Sequence, residues 1–204
     1  MTLIIIALTS IISLLAFSQR DLFARLQFNA YLIKNSNQSW RFLSYGLIHA
    51  DWVHLMVNMF VLYSFGQIVE AHYQILFETK GLFYFGLLYI GSLGMSVVPA
   101  YGKNKENIHY NAVGASGAVS AIVFTSILFQ PLSKIYFFFI PIGIPAIIFG
   151  ILYLWYSWYM SKKNIDNIGH DAHFWGAIFG IVFTIAIKPS IILYFFNQIT
   201  SILR

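Results

Sequence analysis

The chain lacks cysteine altogether, which excludes disulfides, thiolate chemistry and cysteine-ligated metal sites. Charge is nearly as scarce: 9% of the residues are charged, where a soluble domain carries about a quarter. No basic stripe with interleaved aromatics occurs, so nucleic acid is not an expected partner. There is no His-Glu-x-x-His and no Gly-x-Gly-Asp, and Asp51, Asp166 and Asp171 all fall at the edges of apolar stretches. These absences argue against a metal site and against a pair of opposed catalytic carboxylates.

What the chain has instead is apolar length. Of its 204 residues 59% are hydrophobic, and the net charge is +5, an excess suited to lipid headgroups. A membrane span needs roughly 17–25 mostly apolar residues. Six stretches answer to that, some of them short: Thr2–Phe17, Trp52–Val69, Gly81–Pro99, Ala115–Phe129, Pro145–Met160 and Ala172–Ile187. The first lacks a basic leader and an Ala-x-Ala cleavage site, and reads as a retained span rather than a cleaved signal peptide. No repeat or low-complexity linker interrupts the chain. The expected architecture is an all-α, six-helix membrane bundle forming a single domain over residues 1–204.

Three connecting segments stand out. The first loop, residues 18–51, is long and half apolar, with Phe23, Leu26, Phe28, Tyr31, Leu32, Trp40 and Phe42, and is expected to lie partly in the membrane interface. Ile135–Ile144 is aromatic and broken by Pro141 and Gly143, and reads as an interfacial lead-in to the fifth span. The tail, residues 190–204, has helical apolar periodicity, which fits either an interfacial helix or an extension of the sixth span.

Alternating spans put loops one, three and five on one side of the membrane, so spans two, four and six all begin there. His54 and Asn58 lie early in span two, Ser116 in the first turn of span four, and His173 in the first turn of span six. Topology alone thus gathers four polar groups at one depth and one side. Span four falls short of the ~30 Å hydrocarbon core, so its start sits below the surface and the polar loop Lys103–Glu106 carries water towards it. Gly114, Ala115, Gly117, Ala118 and Ala121 give span four little bulk, and Gly176 and Gly180 do the same for one face of span six. Small residues let helix backbones approach closely, which aims His173 at Ser116.

The chemistry expected of that grouping is acyl transfer. A serine hydroxyl is a poor nucleophile until a base takes its proton, and histidine has the intrinsic pKa for that work. Backbone N–H groups at the start of span four, with His54 and Asn58 at i and i+4, supply donors for an oxyanion. Glu70 lies at the far end of span two, on the wrong side for Ser116, and reads as a structural anchor. Trp40-Arg41 is expected to tie down loop one, through indole packing and guanidinium bonds to carbonyls. His72, His109 and His170 read as loop residues.

These motifs together resemble the rhomboid family of intramembrane serine proteases. The resemblance rests on Trp40-Arg41, on His49-Ala50-x-x-x-His54-x-x-x-Asn58, on Gly114-Ala115-Ser116-Gly117 and on Ala172-His173-x-x-Gly176-x-x-x-Gly180, with Gly66 and Glu70 also in place. It implies peptide-bond hydrolysis by a Ser116–His173 dyad, with no third acidic member and no cofactor, and an oxyanion hole of His54, Asn58 and the Ser116 backbone. Its substrates would be single-span transmembrane proteins entering sideways near spans two and five, and its place the plasma membrane. In two respects the chain departs from the family pattern. Many members carry, one turn after the nucleophile, an aromatic residue that stacks on the histidine; here that position is Ser120. The family also keeps its site outside and its termini inside. Yet the odd loops hold Arg20, Arg25, Lys34, Arg41, Lys103, Lys105, Lys162 and Lys163 against Lys80, Lys134, Lys188 and Arg204 elsewhere, opposite to the positive-inside rule. Two other readings are an inactive rhomboid-like protein that binds membrane clients and a small transporter. The transporter would need polar groups at several depths.

Overall fold

The computed structural model describes residues 1–137, 140–163 and 168–201. Among the described residues the structure is all-α apart from one hairpin and an isolated bridge between Phe28 and Ala112. Helix α1 (Thr2–Ser18) leads into the short first-loop helices α2 (Arg20–Leu26), α3 (Ala30–Ser36) and α4 (Arg41–Ser44). The long helices follow: α5 (Trp52–Phe77), α6 (Gly81–Asn104), α7 (Ser116–Phe129), α8 (Ala146–Lys163) and α9 (His170–Ile187), and then α10 (Ile191–Thr200).

Helix α7 is the centre of the bundle. Every residue from Gly117 to Phe129 is buried, enclosed chiefly by α5, α6, α9 and α10. The small residues of α7 and α9 account for the closest approach. A Cβ placed on Gly176 would lie 2.7 Å from the carbonyl carbon of Gly117, and one on Gly180 would lie 2.8 Å from the Cα of Ala121. At that separation backbone packs on backbone. Polar groups trapped there are satisfied locally, as burial requires. The hydroxyls of Tyr73 and Thr184 lie 2.8 Å apart, and Thr125 Oγ1 donates to the Gly180 carbonyl at 3.2 Å, joining α5, α7 and α9.

The six expected helices correspond to α1 and α5 to α9, several of them longer than expected. Helix α5 runs past Val69 to Phe77, and α6 passes through Pro99 to Asn104. Among the described residues, Trp52–Asn104 and α9 are long and apolar enough to be candidate spans; α1 and α7 are apolar but shorter. Helix α7, with 14 residues, rises only ~21 Å, as the short fourth span anticipated.

The lead-in expected over Ile135–Ile144 is instead an antiparallel hairpin of β1 (Lys134–Phe137) and β2 (Ile140–Pro145), with Lys134 opposite Pro145. Phe138 and Phe139 lie outside the described residues. The tail forms a helix of its own: Lys188 leaves the helical region at φ −144° and Pro189 follows, which separates α10 from α9. Ile191 is buried and Gln198 Nε2 donates to the Phe129 carbonyl at 2.9 Å, docking α10 on the end of α7. Residues 202–204 lie outside the described residues, as does Asp166.

The first loop is sewn to the loop after α6. Phe28 and Ala112 exchange two backbone hydrogen bonds, of 2.9 and 3.1 Å. The Phe28 ring is fully buried against Phe42, Tyr45 and Tyr110. Arg41 is buried, with its guanidinium donating to the carbonyls of Ala24 and Gln27 and to Gln38 Oε1. Trp40 is 50% exposed, so the anchoring comes from the guanidinium and not from the indole. At the other end of α5, Glu70 accepts from the backbone N–H and the hydroxyl of Thr2 at 2.8 and 2.7 Å, holding α1 against α5.

Candidate active site

Ser116 is the first residue of α7. The four N–H groups that open a helix have no acceptor within it. Those of Ser116 and Gly117 therefore gather beside the Ser116 hydroxyl, where the helix dipole favours negative charge. His173 lies in the first turn of α9, its N–H bonded to the Gly169 carbonyl at 3.1 Å. The two helix starts touch: a Cβ on Gly117 would sit 3.2 Å from the Ala172 carbonyl oxygen. The chain neighbours of Ser116 and His173 are thus in direct contact. Ser116, His173 and His54 are all half-buried.

His54 enters this group through a helix cap. Asp51 caps α5 by accepting from the His54 N–H at 2.8 Å, which fixes His54 in the first turn. Its Nδ1 accepts from the Ala50 N–H at 3.5 Å, leaving the proton on Nε2. That nitrogen faces Gly114, where an added Cβ would lie 2.8 Å from it. Gly114 also has φ +107°, a conformation side chains resist, so two independent reasons keep this position glycine. Asn58 is buried one turn further on and donates from Nδ2 to the His54 carbonyl at 2.9 Å. That bond uses one of the two amide hydrogens.

His49 supports the nucleophile loop from behind. It is fully buried, and its Nε2 accepts the Ala115 N–H at 3.3 Å. Its Nδ1 lies 3.0 Å from Ser13 Oγ, which in turn donates to the Leu47 carbonyl. Accepting at Nε2 requires the neutral ring with its proton on Nδ1. His49 sits in the loop before α5, outside the long helices, and burial pushes its pKa down to about 3.

Ser120 meets a side chain of α8. Its hydroxyl lies 2.8 Å from the Tyr153 hydroxyl of α8, and the Tyr153 ring stacks on the His173 ring at 6.3 Å between centroids, 23° between planes. The sequence reading missed Tyr153. It stands in an aromatic run, Tyr153 to Tyr159, and the signal that could have found it is the small-residue stripe Ala146, Gly150 and Ser157, whose face it shares. Two histidines are also relocated. His170 opens α9, is buried, and packs edge-on against both Tyr156 and His173. His72 is interior to α5 and stacks on Phe129. His109 stays in a loop. Among the described residues no three histidines or carboxylates gather into a metal-binding group.

Beside the site, a cleft of about 340 Å³ opens among the ends of α6, α8 and α9, lined by Lys103, by Trp158, Ser161 and Lys162, and by Asp171, Phe174 and Trp175.

The sequence profile described as "Rhomboid domain" matches residues 36–190. That range contains every site residue described above except Ser13. RHOMBOID-like protein 12, mitochondrial, of Arabidopsis thaliana is 31% identical over 144 residues, which are 63% of this chain and 40% of that protein. Rhomboid-like protein 11, chloroplastic, of the same plant is 33% identical over 99 residues, 48% of this chain and 32% of that protein. The chain thus spans well under half the length of these curated relatives. Their names place them in mitochondria and chloroplasts, which lends no support to the expected plasma-membrane location. With the match covering most of its length, the chain is a membrane protein of all-α fold that belongs to the rhomboid family.

Proposed function

We propose that the protein is an intramembrane serine protease that cuts single-span membrane proteins, with Ser116 as nucleophile and His173 as base. The observation that carries this reading is the contact of the two helix starts at Gly117 and Ala172, with the His54 imidazole seated against Gly114. Ser116 Oγ attacks the scissile carbonyl carbon while His173 takes its proton. The resulting oxyanion accepts hydrogen bonds from the Ser116 N–H, from His54 Nε2 and from the second amide hydrogen of Asn58. Collapse breaks the C–N bond, with His173 returning the proton to the leaving amine. Water, deprotonated by His173, then hydrolyses the acyl ester. Two residues suffice, without a third acidic member or a cofactor.

In this reading residues 1–204 form one domain with six spans, α1 and α5 to α9. The first loop, residues 18–51, is partly embedded, and the tail, residues 190–204, lies on the interface. Substrate enters sideways between α5 and α8. The site end faces outward. Internal use of three loop cations lessens the positive excess there: carbonyls hold Arg41, Glu106 pairs with Lys34, and Asp171 pairs with Lys103 at 2.6 Å. The absence of native cysteine makes single-cysteine labelling direct; modification of loop one from the cytoplasmic side only would reverse the orientation.

A fluorophosphonate probe is expected to label the wild type, and Ser116→Ala to abolish both labelling and cleavage of a reconstituted single-span substrate. Cleavage that persists in Ser116→Ala would refute the assignment. His54→Ala is expected to lower kcat by about a hundredfold or more, the usual cost of losing an oxyanion donor.

A further inference from the structure

A catalytic histidine needs more than proximity to its serine: the ring must keep one rotamer with a nitrogen aimed at the hydroxyl. The ring stacked on His173 comes from α8, a helix that carries neither member of the dyad. We propose that Tyr153 of α8, held at its tip by Ser120 of α7, is the positioning residue for His173. The proposal rests on the dyad reading above.

Four contacts fix the Tyr153 ring. Its hydroxyl meets Ser120 Oγ at 2.8 Å, in surroundings where Ser120 is 5% exposed and little water competes. Ser120 lies one turn beyond Ser116 on the same face of α7, so the tip of the ring is referenced to the helix that carries the nucleophile. Phe124, one turn further, packs on the ring at 5.7 Å, and Phe149 of α8 packs on it at 5.6 Å. The fourth contact is the stack on His173, inside the centroid range aromatic pairs favour. The electron-rich face of the ring also suits the imidazolium that forms when His173 takes the serine proton.

A second pair repeats the arrangement one turn away. Tyr156 of α8 meets His170 at 5.4 Å, and His170 meets the edge of His173 at 5.9 Å. Two tyrosines at i and i+3 on α8 thus cover two imidazoles at i and i+3 on α9. A small hydroxyl at position 120 is what this needs. A large side chain there would occupy the space through which Tyr153 reaches His173. Because the steadying ring belongs to α8, the reactivity of Ser116 depends on α8 being seated against α7.

The test uses the full chain in detergent micelles, reading fluorophosphonate labelling of Ser116 and turnover of a single-span substrate, with thermal melting as the control for folding. Tyr153→Leu keeps an apolar side chain and removes the stacking face, with melting to report the cavity it leaves. It is expected to lower kcat and the labelling rate by about ten- to a hundredfold, with KM unchanged, the scale of a small misplacement of a catalytic group. Tyr153→Phe restores the ring and is expected to recover most of that loss. Ser120→Ala should match Tyr153→Phe, and the double variant should be no worse than either alone, since both remove one shared hydrogen bond. If Tyr153→Leu melts like the wild type and labels at the wild-type rate, while Ser116→Ala stays unlabelled, the positioning role is wrong and the dyad stands. If Ser116→Ala still cleaves, the dyad fails and this role with it.

Discussion

Helices α7 and α8 bring different kinds of surface to the same site. From Gly117 to Phe129, α7 has no residue outside the core, and it meets α9 backbone to backbone. Helix α8 buries three of its 18 residues, Ala146, Gly150 and Ser157, while Ile148, Ile151, Leu152, Trp155 and Tyr156 are exposed on the protein surface. The proposed nucleophile and base therefore sit on the most closely packed pair of helices, and the ring that steadies the base sits on a peripheral one. Rigidity is greatest where the reacting atoms are held. The element beside them that has room to shift bears on alignment rather than on the dyad itself.

Glycine substitutions give the sharpest contrast between the two. Gly176→Ala and Gly180→Ala are expected to cost more than about 3 kcal/mol each, because the new methyl meets the backbone of Gly117 or Ala121, which no side-chain rotation relieves. Thermal melting in micelles and the yield of folded protein measure this. Wild-type stability in either variant would mean that α9 can move away from α7, and that the central pair is not the rigid element.

This close pairing was legible in the sequence, since Gly176 and Gly180 stand one turn apart and face a run of glycine and alanine in α7. Helix-start positions for Ser116 and His173 were legible for a related reason: glycine and small residues stand where apolar runs begin. Helix ends were read less well. A span ends where the bilayer does, but hydrogen bonding carries a helix on into the interface, so α5 continues to Phe77 and takes His72 with it. The hairpin is hard to see in the sequence although Ile140, Ile142 and Ile144 alternate, because Pro141 and Gly143 are residues that usually end a strand. Tyr153 is marked only by small residues on its face of α8, Ala146, Gly150 and Ser157, and not by polarity. Sequence periodicity finds an inward face by contrast between polar and apolar residues, and α8 has apolar and aromatic residues on all its faces.

The loop that leads into α7 shares the rigidity of the central pair through His49, and pH can weaken it. The unfolded imidazole titrates near 6.5, and the folded one is held down to about 3 by burial. Between those values the unfolded chain binds the proton that the folded chain refuses, so stability is complete above about pH 6.5 and falls as the pH drops towards 3. The loss expected is on the order of 1 kcal/mol per pH unit, read from melting temperatures between pH 7 and 4. His49→Asn should lower stability at pH 7 and flatten this slope. A slope unchanged by the substitution would assign the acid sensitivity to other groups and leave the loop independent of His49.

The smallest effect is expected on α8, and it bears most directly on the contrast. A methyl on Gly150 would meet Ile127 Cδ1 at 3.1 Å and Phe124 Cε1 at 3.3 Å, both of them ends of side chains that can give way. Replacing glycine inside a helix also removes an entropic cost of up to about 1 kcal/mol, which offsets the crowding. Gly150→Ala should therefore stay within about 0.5 kcal/mol of the wild type, where the same change on α9 is expected to cost more than about 3 kcal/mol. Phe124 is also a neighbour of the Tyr153 ring, at 5.7 Å, so the displaced side chain presses on the residue proposed to align His173. Labelling of Ser116 should slow by about two- to threefold while the melting temperature holds, the small misalignment expected of a packing change one step removed from the base. If Gly150→Ala instead melts as early as Gly180→Ala, α8 is packed as tightly as α9, and the site is held by three rigid helices rather than by two and a movable third.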